Sequence, residues 1–281
     1  GLLLTAGADV QKDRIEVSVW AFGRGKAAWL IEHRVLMGDT ARSDVWSALA
    51  KLMGETWTHS SGCQLSLARI ALDTGYATQE AYAFVRSARD TRLMPIKGIA
   101  GGAALIGMPT AVDATASGKK LRRGMKVFPV AGGIAKLEFY NNLRKSAEVA
   151  EDGVTPIYPA GYVHLPKVDA EYLQQLCAEQ LITRRDRNGF AHREWQKMRE
   201  RNEALDCYVY ARAAAAAAGL DRFEDRHWHE LEKQLGVGPP TDAAATDTHE
   251  ATREQKFDGG LSTSGNPTPA ARRVVRSKWM N

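Results

Sequence analysis

Three β-rich segments with very short connections open the chain, and they constrain its fold more than any other feature. They are Leu3 to Val10, Arg14 to Phe22 and Ala27 to Val35. The middle segment alternates between apolar and other residues, as Ile15-Glu16-Val17-Ser18-Val19 illustrates. Connections this short join antiparallel neighbours, because parallel strands need a long crossover. The opening of the chain therefore predicts an antiparallel meander.

Strands and helices alternate after the meander. The apolar run Leu67 to Leu72 predicts a buried strand that ends at Asp73. Further strands are predicted at Leu93 to Lys97 and Lys126 to Val130. Helices are predicted at about Asp44–Met53, Gln79–Arg89, Ile134–Val149, Ala170–Glu179, Asn202–Ala218 and Asp221–Leu235. The pattern favours an α/β fold in which helices flank a mixed sheet with right-handed crossovers.

Composition divides the chain into one domain and a tail. We expect residues 1–235 to form the domain, with 98–126 as a flexible basic insertion, because Gly, Ala, Ser and Thr dominate its first part. Residues 236–281 are rich in Pro, Thr, Ala, Ser and Gly and end in a basic stretch. We expect this tail to be disordered when it is alone.

Several classes of protein are excluded at this stage. No run of about 18 apolar residues is present, so no membrane span is expected. The first residues lack the basic region of a signal peptide. Cys63, Cys177 and Cys207 are widely spaced and form no CxxC pair, which argues against disulfides and structural zinc and favours a reducing cytoplasm. No GxxxxGK[ST] loop is present, so no ATPase motor is expected in this chain.

Three acidic residues occur in apolar surroundings. Asp9 lies within the first strand, Asp73 ends the buried strand, and Asp206 lies between Leu205 and Cys207 on the late helix. Burying an unpartnered carboxylate is costly, so each of them needs a partner. Mg²⁺ and similar hard cations take oxygen ligands, and a pair of such ions can hydrolyse a phosphodiester.

Each acid also has a purely structural explanation. Asp73 precedes Thr74-Gly75 and could cap a turn. Asp9 could pair with Lys12 or Arg14, and Asp206 could pair with Arg201 or Arg212. Spacing alone does not decide between these explanations and a metal site.

The formal net charge is +5, and the cations are clustered. The first cluster contains Lys119, Lys120, Arg122, Arg123 and Lys126. The second contains Arg184, Arg185, Arg187, Arg193, Lys197, Arg199 and Arg201. Such clusters suit the phosphates of nucleic acid, but they are equally typical of a solvated surface.

Three strings resemble the large terminase subunits of lambda-type tailed bacteriophages. They are Thr5-Ala6-Gly7-Ala8-Asp9-Val10-Gln11, Ala71-Leu72-Asp73-Thr74-Gly75 and Arg201-Asn202-Glu203-Ala204-Leu205-Asp206-Cys207. The last is the most specific, and the resemblance extends from about Leu2 to Ala218. It implies the C-terminal, ribonuclease H-like nuclease domain of such a subunit, separated from its motor.

The resemblance also implies a mechanism and partners. Asp9, Asp73 and Asp206 would be catalytic and would hold two Mg²⁺ or Mn²⁺ ions, with Asp9 bridging both and Glu203 as an auxiliary ligand or orienting residue. The enzyme would cleave concatemeric viral double-stranded DNA during genome packaging, in the cytoplasm of the infected bacterial host. Its partners would be DNA, a small terminase subunit and the portal protein of the procapsid, and not a membrane. The first basic cluster would contact the DNA.

Two other functions remain open on the sequence alone. The chain could be a non-catalytic module that docks DNA and the portal, which the basic tail favours. It could also be a junction resolvase-like nuclease with the same fold.

Overall fold

The structure is a computed structural model that describes residues 1–113 and 124–237. The segments 114–123 and 238–281 lie outside the described residues. They contain four of the five cations of the first basic cluster and the predicted tail. The predictions of a flexible insertion and a disordered tail therefore stay predictions.

Fourteen strands and six helices are found in the described residues. The strands are β1 (Leu3–Val10), β2 (Arg14–Phe22), β3 (Ala28–Met37), β4 (Thr56–Thr58), β5 (Gln64–Ser66), β6 (Arg69–Asp73), β7 (Leu93–Ile99), β8 (Thr110–Ala111), β9 (Lys126–Ala131), β10 (Glu148–Val149), β11 (Pro156–Ile157), β12 (Val163–His164), β13 (Glu179–Arg185) and β14 (Ala191–Lys197). The helices are α1 (Ser43–Met53), α2 (Thr78–Ala88), α3 (Gly132–Leu143), α4 (Ala170–Leu176), α5 (Glu203–Ala217) and α6 (Asp225–Leu235).

Eight of these strands form one mixed sheet in the order β12-β3-β2-β1-β6-β7-β9-β8. The strands β1, β2 and β3 form the expected antiparallel meander. The strands β6, β7 and β9 continue the sheet from β1 as parallel neighbours, joined by crossovers. A meander followed by parallel strands, with helices on both faces, confirms the predicted ribonuclease H-like α/β class.

The two faces of the sheet bury separate cores. Ala6, Ala8 and Val10 of β1 face α1 and α2, where they pack in a cluster with Leu49 and Phe84. The opposite face packs against α3, α4 and α5. Since successive side chains of a strand alternate between faces, the residues Thr5, Gly7 and Asp9 of β1 lie on the α5 face.

Helix α5 lies directly on β1 at Gly7. A Cβ atom added to Gly7 would lie only 2.0 Å from the carbonyl oxygen of Cys207 and 2.6 Å from the amide nitrogen of Ala211. The Thr5 hydroxyl donates a hydrogen bond of 2.8 Å to the carbonyl of Ala211. Most residues of α5 are buried, and its Ala-rich sequence provides the small side chains that a close approach needs.

Three predicted helices have different limits in the structure. The helix expected to run to Val149 ends at Leu143, because Glu148 and Val149 pair with Pro156–Ile157 as β10 and β11. The helix expected to run to Glu179 ends at Leu176. The last one begins as a separate 3₁₀ turn, Leu220–Arg222, before α6 starts at Asp225. The first difference arises because Glu148 and Val149 pair with residues that come later in the chain. Local helix propensity carries no information about such pairing.

Eight strands were not predicted, namely β4, β5, β8 and β10 to β14. The strands β13 and β14 form a hairpin that carries most of the second basic cluster. The described flank of the segment 98–126 includes β8, which pairs with β9, and Ile106, which bridges to Val130. This part of the expected loop is bound to the sheet. Within the described residues, no helix is long and apolar enough to cross a membrane.

We predict that Gly7→Ala destabilises the fold by about 3 kcal/mol or more. The new methyl group would overlap the backbone of α5, which cannot move away as a flexible side chain could. Gly98→Ala is the matched control, since a Cβ there would meet nothing within 4 Å. Its effect should stay within about 0.5 kcal/mol. Urea unfolding of both variants measures this difference. Equal midpoints would contradict the close contact of α5 with β1.

Candidate active site

Asp9 and Asp73 lie at equivalent positions on adjacent strands. The strands β1 and β6 are parallel with Ala8 opposite Leu72, so Asp9 and Asp73 are the next neighbours along the pair. Side chains in register on parallel strands point to the same face, and such strands lie about 4.8 Å apart. The two carboxylates therefore share one face at the carboxyl ends of β1 and β6.

Helix α5 brings Asp206 to this face. Asp206 lies in the first turn of α5 and directly precedes Cys207, whose carbonyl oxygen lies against Gly7. Gly7 is two residues before Asp9 and on the same face of β1. The contact that fixes the helix on the sheet thus fixes Asp206 near Asp9.

The electrostatics of the three acids show that they share one environment. Burial raises the pKa of Asp9 to about 8, and the charges of Asp206 and Asp73 add to this effect. Burial also raises the pKa of Asp206 to about 6; the charges of Glu179 and Asp73 act in the same direction, and those of Lys136 and Lys197 oppose them. The pKa of Asp73 is raised by burial, against the hydrogen bonds from the amides of Gly75 and Thr74. The phenol of Tyr210 has its pKa raised by burial and then by all three acids.

A neutral donor orients each of these carboxylates. Gln11 Nε2 donates to Asp9 Oδ2 at 2.6 Å. The Gly75 amide donates to Asp73 Oδ1 at 3.1 Å. Asn202 Nδ2 donates to Asp206 Oδ2 at 2.9 Å. These bonds fix the carboxylates without supplying a compensating charge.

The ion pairs considered for these acids from the sequence are not formed. Arg14 pairs with Asp13, Glu16 and Glu203, and not with Asp9. Arg212 pairs with Glu138 and Asp221, and not with Asp206. The turn-capping explanation of Asp73 is correct in part, because its carboxylate does accept from the following turn.

Of the three acids, only Asp206 has a cation within ion-pairing distance among the described residues. Lys136 of α3 has its Nζ 3.6 Å from Asp206 Oδ1 and 2.5 Å from Glu179 Oε1. Asn202 Nδ2 also donates to Glu179 Oε1, at 3.0 Å. Lys136, Glu179, Asn202 and Asp206 therefore form one polar cluster, which we call the lysine cluster.

A second network of charges lies on the other side of Asp9. Glu16 is opposite Asp9 in the β1–β2 register and is fully buried. Arg14 and Arg201 donate to Glu16 Oε1 at 2.6 and 2.7 Å. Despite the burial, hydrogen bonds from His33 and Arg14 and the charge of Arg201 lower the pKa of Glu16 to about 2. Glu16 is thus a carboxylate whose charge is already compensated by arginines.

Glu203 belongs to this arginine network. Its Oε1 accepts from Arg14 Nη2 at 2.8 Å, and its Oε2 lies 3.4 Å from Arg201 Nε. Both oxygens therefore face cations. This arrangement fits the orienting role expected for Glu203 better than the role of an auxiliary metal ligand.

The predicted DNA-contacting residues fall largely outside the described residues. Lys119, Lys120, Arg122 and Arg123 lie in the segment that the structure does not describe. Lys126 is the first residue of β9 and is exposed.

The donor set of the site fits a hard divalent cation. Burial raises the pKa of all three carboxylates, and neighbouring acids raise those of Asp9 and Asp206 further, so a positive charge that the three can share would stabilise them. The described residues contain no group of three or more His, Cys, Asp or Glu side chains already gathered around a single ion position. Magnesium needs few protein carboxylates, because it keeps several of its waters. Carboxylates supplied by three separate elements are compatible with this chemistry.

Sequence reasoning missed the residues that surround the three acids. Glu16 had a visible signal, because it is a charged residue on the strand face that also carries Trp20. Lys136, Glu179 and Asn202 had none, because their approach to Asp206 depends on how α3, β13 and α5 pack. Such contacts are tertiary and leave no periodic pattern in the chain.

Comparison with known proteins gives a consistent result. A family model described as the endonuclease domain of the terminase large subunit gpA matches residues 1–228. The terminase large subunit of Escherichia phage lambda is 33% identical over 217 residues, which cover 75% of this chain and 32% of that protein. The terminase large subunit of Enterobacteria phage P21 is 28% identical over 214 residues, with the same coverage of 75% and 32%. The chain spans about a third of the length of these curated relatives.

One solved structure is also similar. It is the large terminase nuclease from the thermophilic phage G20c, with a TM-score of 0.36 and 15% sequence identity. The match covers 75% of this chain and 80% of that one. The family model and the sequence identity are sufficient: this chain belongs to the terminase large-subunit family and corresponds to its endonuclease domain.

Proposed function

We propose that this chain is a divalent-metal-dependent endonuclease that cleaves concatemeric viral double-stranded DNA during genome packaging. The convergence of Asp9, Asp73 and Asp206 on one face of the sheet carries this proposal. Membership of the terminase endonuclease family supports it. The electrostatic coupling of the three acids is the feature that a stable fold alone does not require.

Two Mg²⁺ or Mn²⁺ ions are the proposed cofactors. Asp9 feels the charges of both other acids and would contact both ions, while Asp73 and Asp206 would each hold one. When bound, two such ions activate a water molecule and stabilise the leaving oxygen of a phosphodiester. The part played by the protein is to hold the carboxylates in place through Gln11, the Gly75 amide and Asn202. We assign Glu203 the role of an orienting residue, since Arg14 and Arg201 hold its carboxylate at the start of α5.

The basic segment before β9 is the proposed DNA contact. Lys119, Lys120, Arg122, Arg123 and Lys126 form a run of cations with no intervening acid. Contacts from cations to phosphates position a protein on DNA and make its affinity depend on salt.

The remaining proposals concern the whole packaging machine. By relation to the terminase large subunits of the phages lambda and P21, the partners would include a small terminase subunit and the portal protein of the procapsid. The reaction would take place in the cytoplasm of the infected bacterial host.

The first test is cleavage of DNA by variants of the acids. We expect the wild type with Mg²⁺ or Mn²⁺ to cleave plasmid DNA, and Asp9→Asn or Asp206→Asn to lower the rate by about 10²-fold or more, since each removes a carboxylate that would hold an ion. The control is Asp44→Asn on the opposite face of the sheet, where Asp44 is exposed at the start of α1.

Full activity in both Asn variants would reject the assigned site. Binding of DNA without any cleavage by the wild type would favour the docking module instead. Faster cleavage of branched junctions than of linear duplex would favour a resolvase-like nuclease.

The second test uses pH and heat. The pKa of Asp9 in the folded protein, about 8, lies above the ordinary aspartate value of 3.8. A raised carboxyl pKa contributes stability that is present at low pH and lost as the pH rises through the folded pKa. We therefore expect this contribution to be lost between about pH 4 and pH 8 in the metal-free protein, and Mn²⁺ to restore most of the stability at the upper end.

Differential scanning fluorimetry measures this effect. The rise in Tm caused by Mn²⁺ should grow with pH in the wild type and should be small at every pH in Asp9→Asn. A rise of the same size in that variant would mean that Mn²⁺ binds elsewhere.

The third test concerns DNA affinity. Replacing Lys119, Lys120, Arg122 and Arg123 together by Ala should weaken binding to duplex DNA. It should also reduce the slope of log affinity against log salt by about 3 to 4, since each lost phosphate contact accounts for about 0.9. Fluorescence anisotropy in a series of salt concentrations measures the slope. An unchanged slope would assign these cations to a solvated surface.

A further inference from the structure

The lysine cluster gives the candidate site an internal positive charge. The ammonium of Lys136 contacts Glu179 at 2.5 Å and Asp206 at 3.6 Å. The side chains of Lys136, Glu179 and Asp206 are only 13%, 8% and 23% exposed. An ammonium group offers three donors, so it can serve two carboxylates at once.

Glu179 is held in place independently of Lys136. Asn202 donates to its Oε1 at 3.0 Å, and its backbone amide donates to the Tyr140 hydroxyl at 3.4 Å. Glu179 also begins β13, where it pairs with Lys197. The contact of Lys136 with Glu179 is shorter than its contact with Asp206, so Glu179 is the principal partner of the ammonium group.

We propose that Lys136 is a positioning residue that competes with a divalent ion for the Asp206 carboxylate, and that Glu179 retains the ammonium group when the ion binds. This inference rests on the proposed function, because it requires that Asp206 hold a metal ion. A dication and an ammonium group repel each other, so both cannot approach the same carboxylate closely without loss of affinity. In the proposed exchange, the contact of Lys136 with Asp206 is given up, and its contact with Glu179 is kept.

The proposal requires shifts of opposite sign in two variants. Lys136→Met keeps the length of the side chain but removes the competing charge, so Mn²⁺ should bind about tenfold more tightly. Glu179→Gln removes the charge that retains the ammonium group, so the Lys136 ammonium should pair with Asp206 instead. Because this pairing competes with the ion, Mn²⁺ should bind about tenfold more weakly. A merely structural role of the two residues would weaken Mn²⁺ binding in both variants.

Isothermal titration calorimetry with MnCl₂ and the full 281-residue chain measures these affinities. The variants are Lys136→Met, Glu179→Gln and Lys136→Arg, of which the last keeps the charge and should stay close to the wild type. Lys51→Met is the control for net charge, because Lys51 is exposed on α1, on the opposite face of the sheet. Circular dichroism checks that each variant is folded. If Lys136→Met does not fold, Lys136→Gln takes its place, and the same tighter binding of Mn²⁺ is expected because the competing charge is again removed.

The outcomes separate this inference from the proposed function. Opposite shifts, with an unchanged affinity in Lys51→Met, support it. Wild-type affinity in both Lys136→Met and Glu179→Gln overturns it while leaving the metal site intact. The inference is also overturned if Lys51→Met tightens Mn²⁺ binding as much as Lys136→Met does, because the effect would then come from net charge alone. A wild type that binds no Mn²⁺ overturns both proposals, because there is then no ion with which Lys136 could compete.

Discussion

The contact between the backbones of α5 and β1 is the constraint on which the candidate site depends. At Gly7 no side chain separates helix from strand, and the Thr5 hydroxyl bonds to the helix one turn further on. Interiors are packed too closely to absorb the displacement that a side chain would cause. The position of Asp206 relative to Asp9 therefore follows from a glycine that takes no part in the chemistry.

Charges around the site are arranged unevenly on the two sides of Asp9. On the β2 side, Glu16 is neutralised by Arg14 and Arg201, which also hold Glu203. On the β6 side, Asp73 has only backbone donors. Buried ion pairs contribute little net stability, but they determine which groups can remain charged. Because Glu16 and Glu203 already have arginine partners, they are poor ligands for a further cation. Asp9, Asp73 and Asp206 are the carboxylates that remain available to one.

The sequence was sufficient for the strands of the meander and for the class of fold. The limits of β1 and β2 were predicted correctly, because alternation and short turns are local signals. The β13–β14 hairpin was missed, because its strands are largely polar and half exposed and show no apolar period. The three acids could be singled out because they interrupt apolar runs. The lysine cluster could not, because α3, β13 and α5 meet only in three dimensions.

The parallel register of β1 and β6 has a consequence for how the site comes into existence during folding. Asp9 and Asp73 both lie in the first third of the chain, on strands that pair directly, whereas Asp206 lies in the last third, so the docking of α5 that completes the site closes a long loop. In a partly folded species whose sheet is complete but whose α5 has not docked, Asp9 and Asp73 are in position and Asp206 is not. The proposed cleavage chemistry would thereby be confined to the fully folded state, and a partly folded chain emerging from the ribosome would lack a complete set of proposed metal ligands.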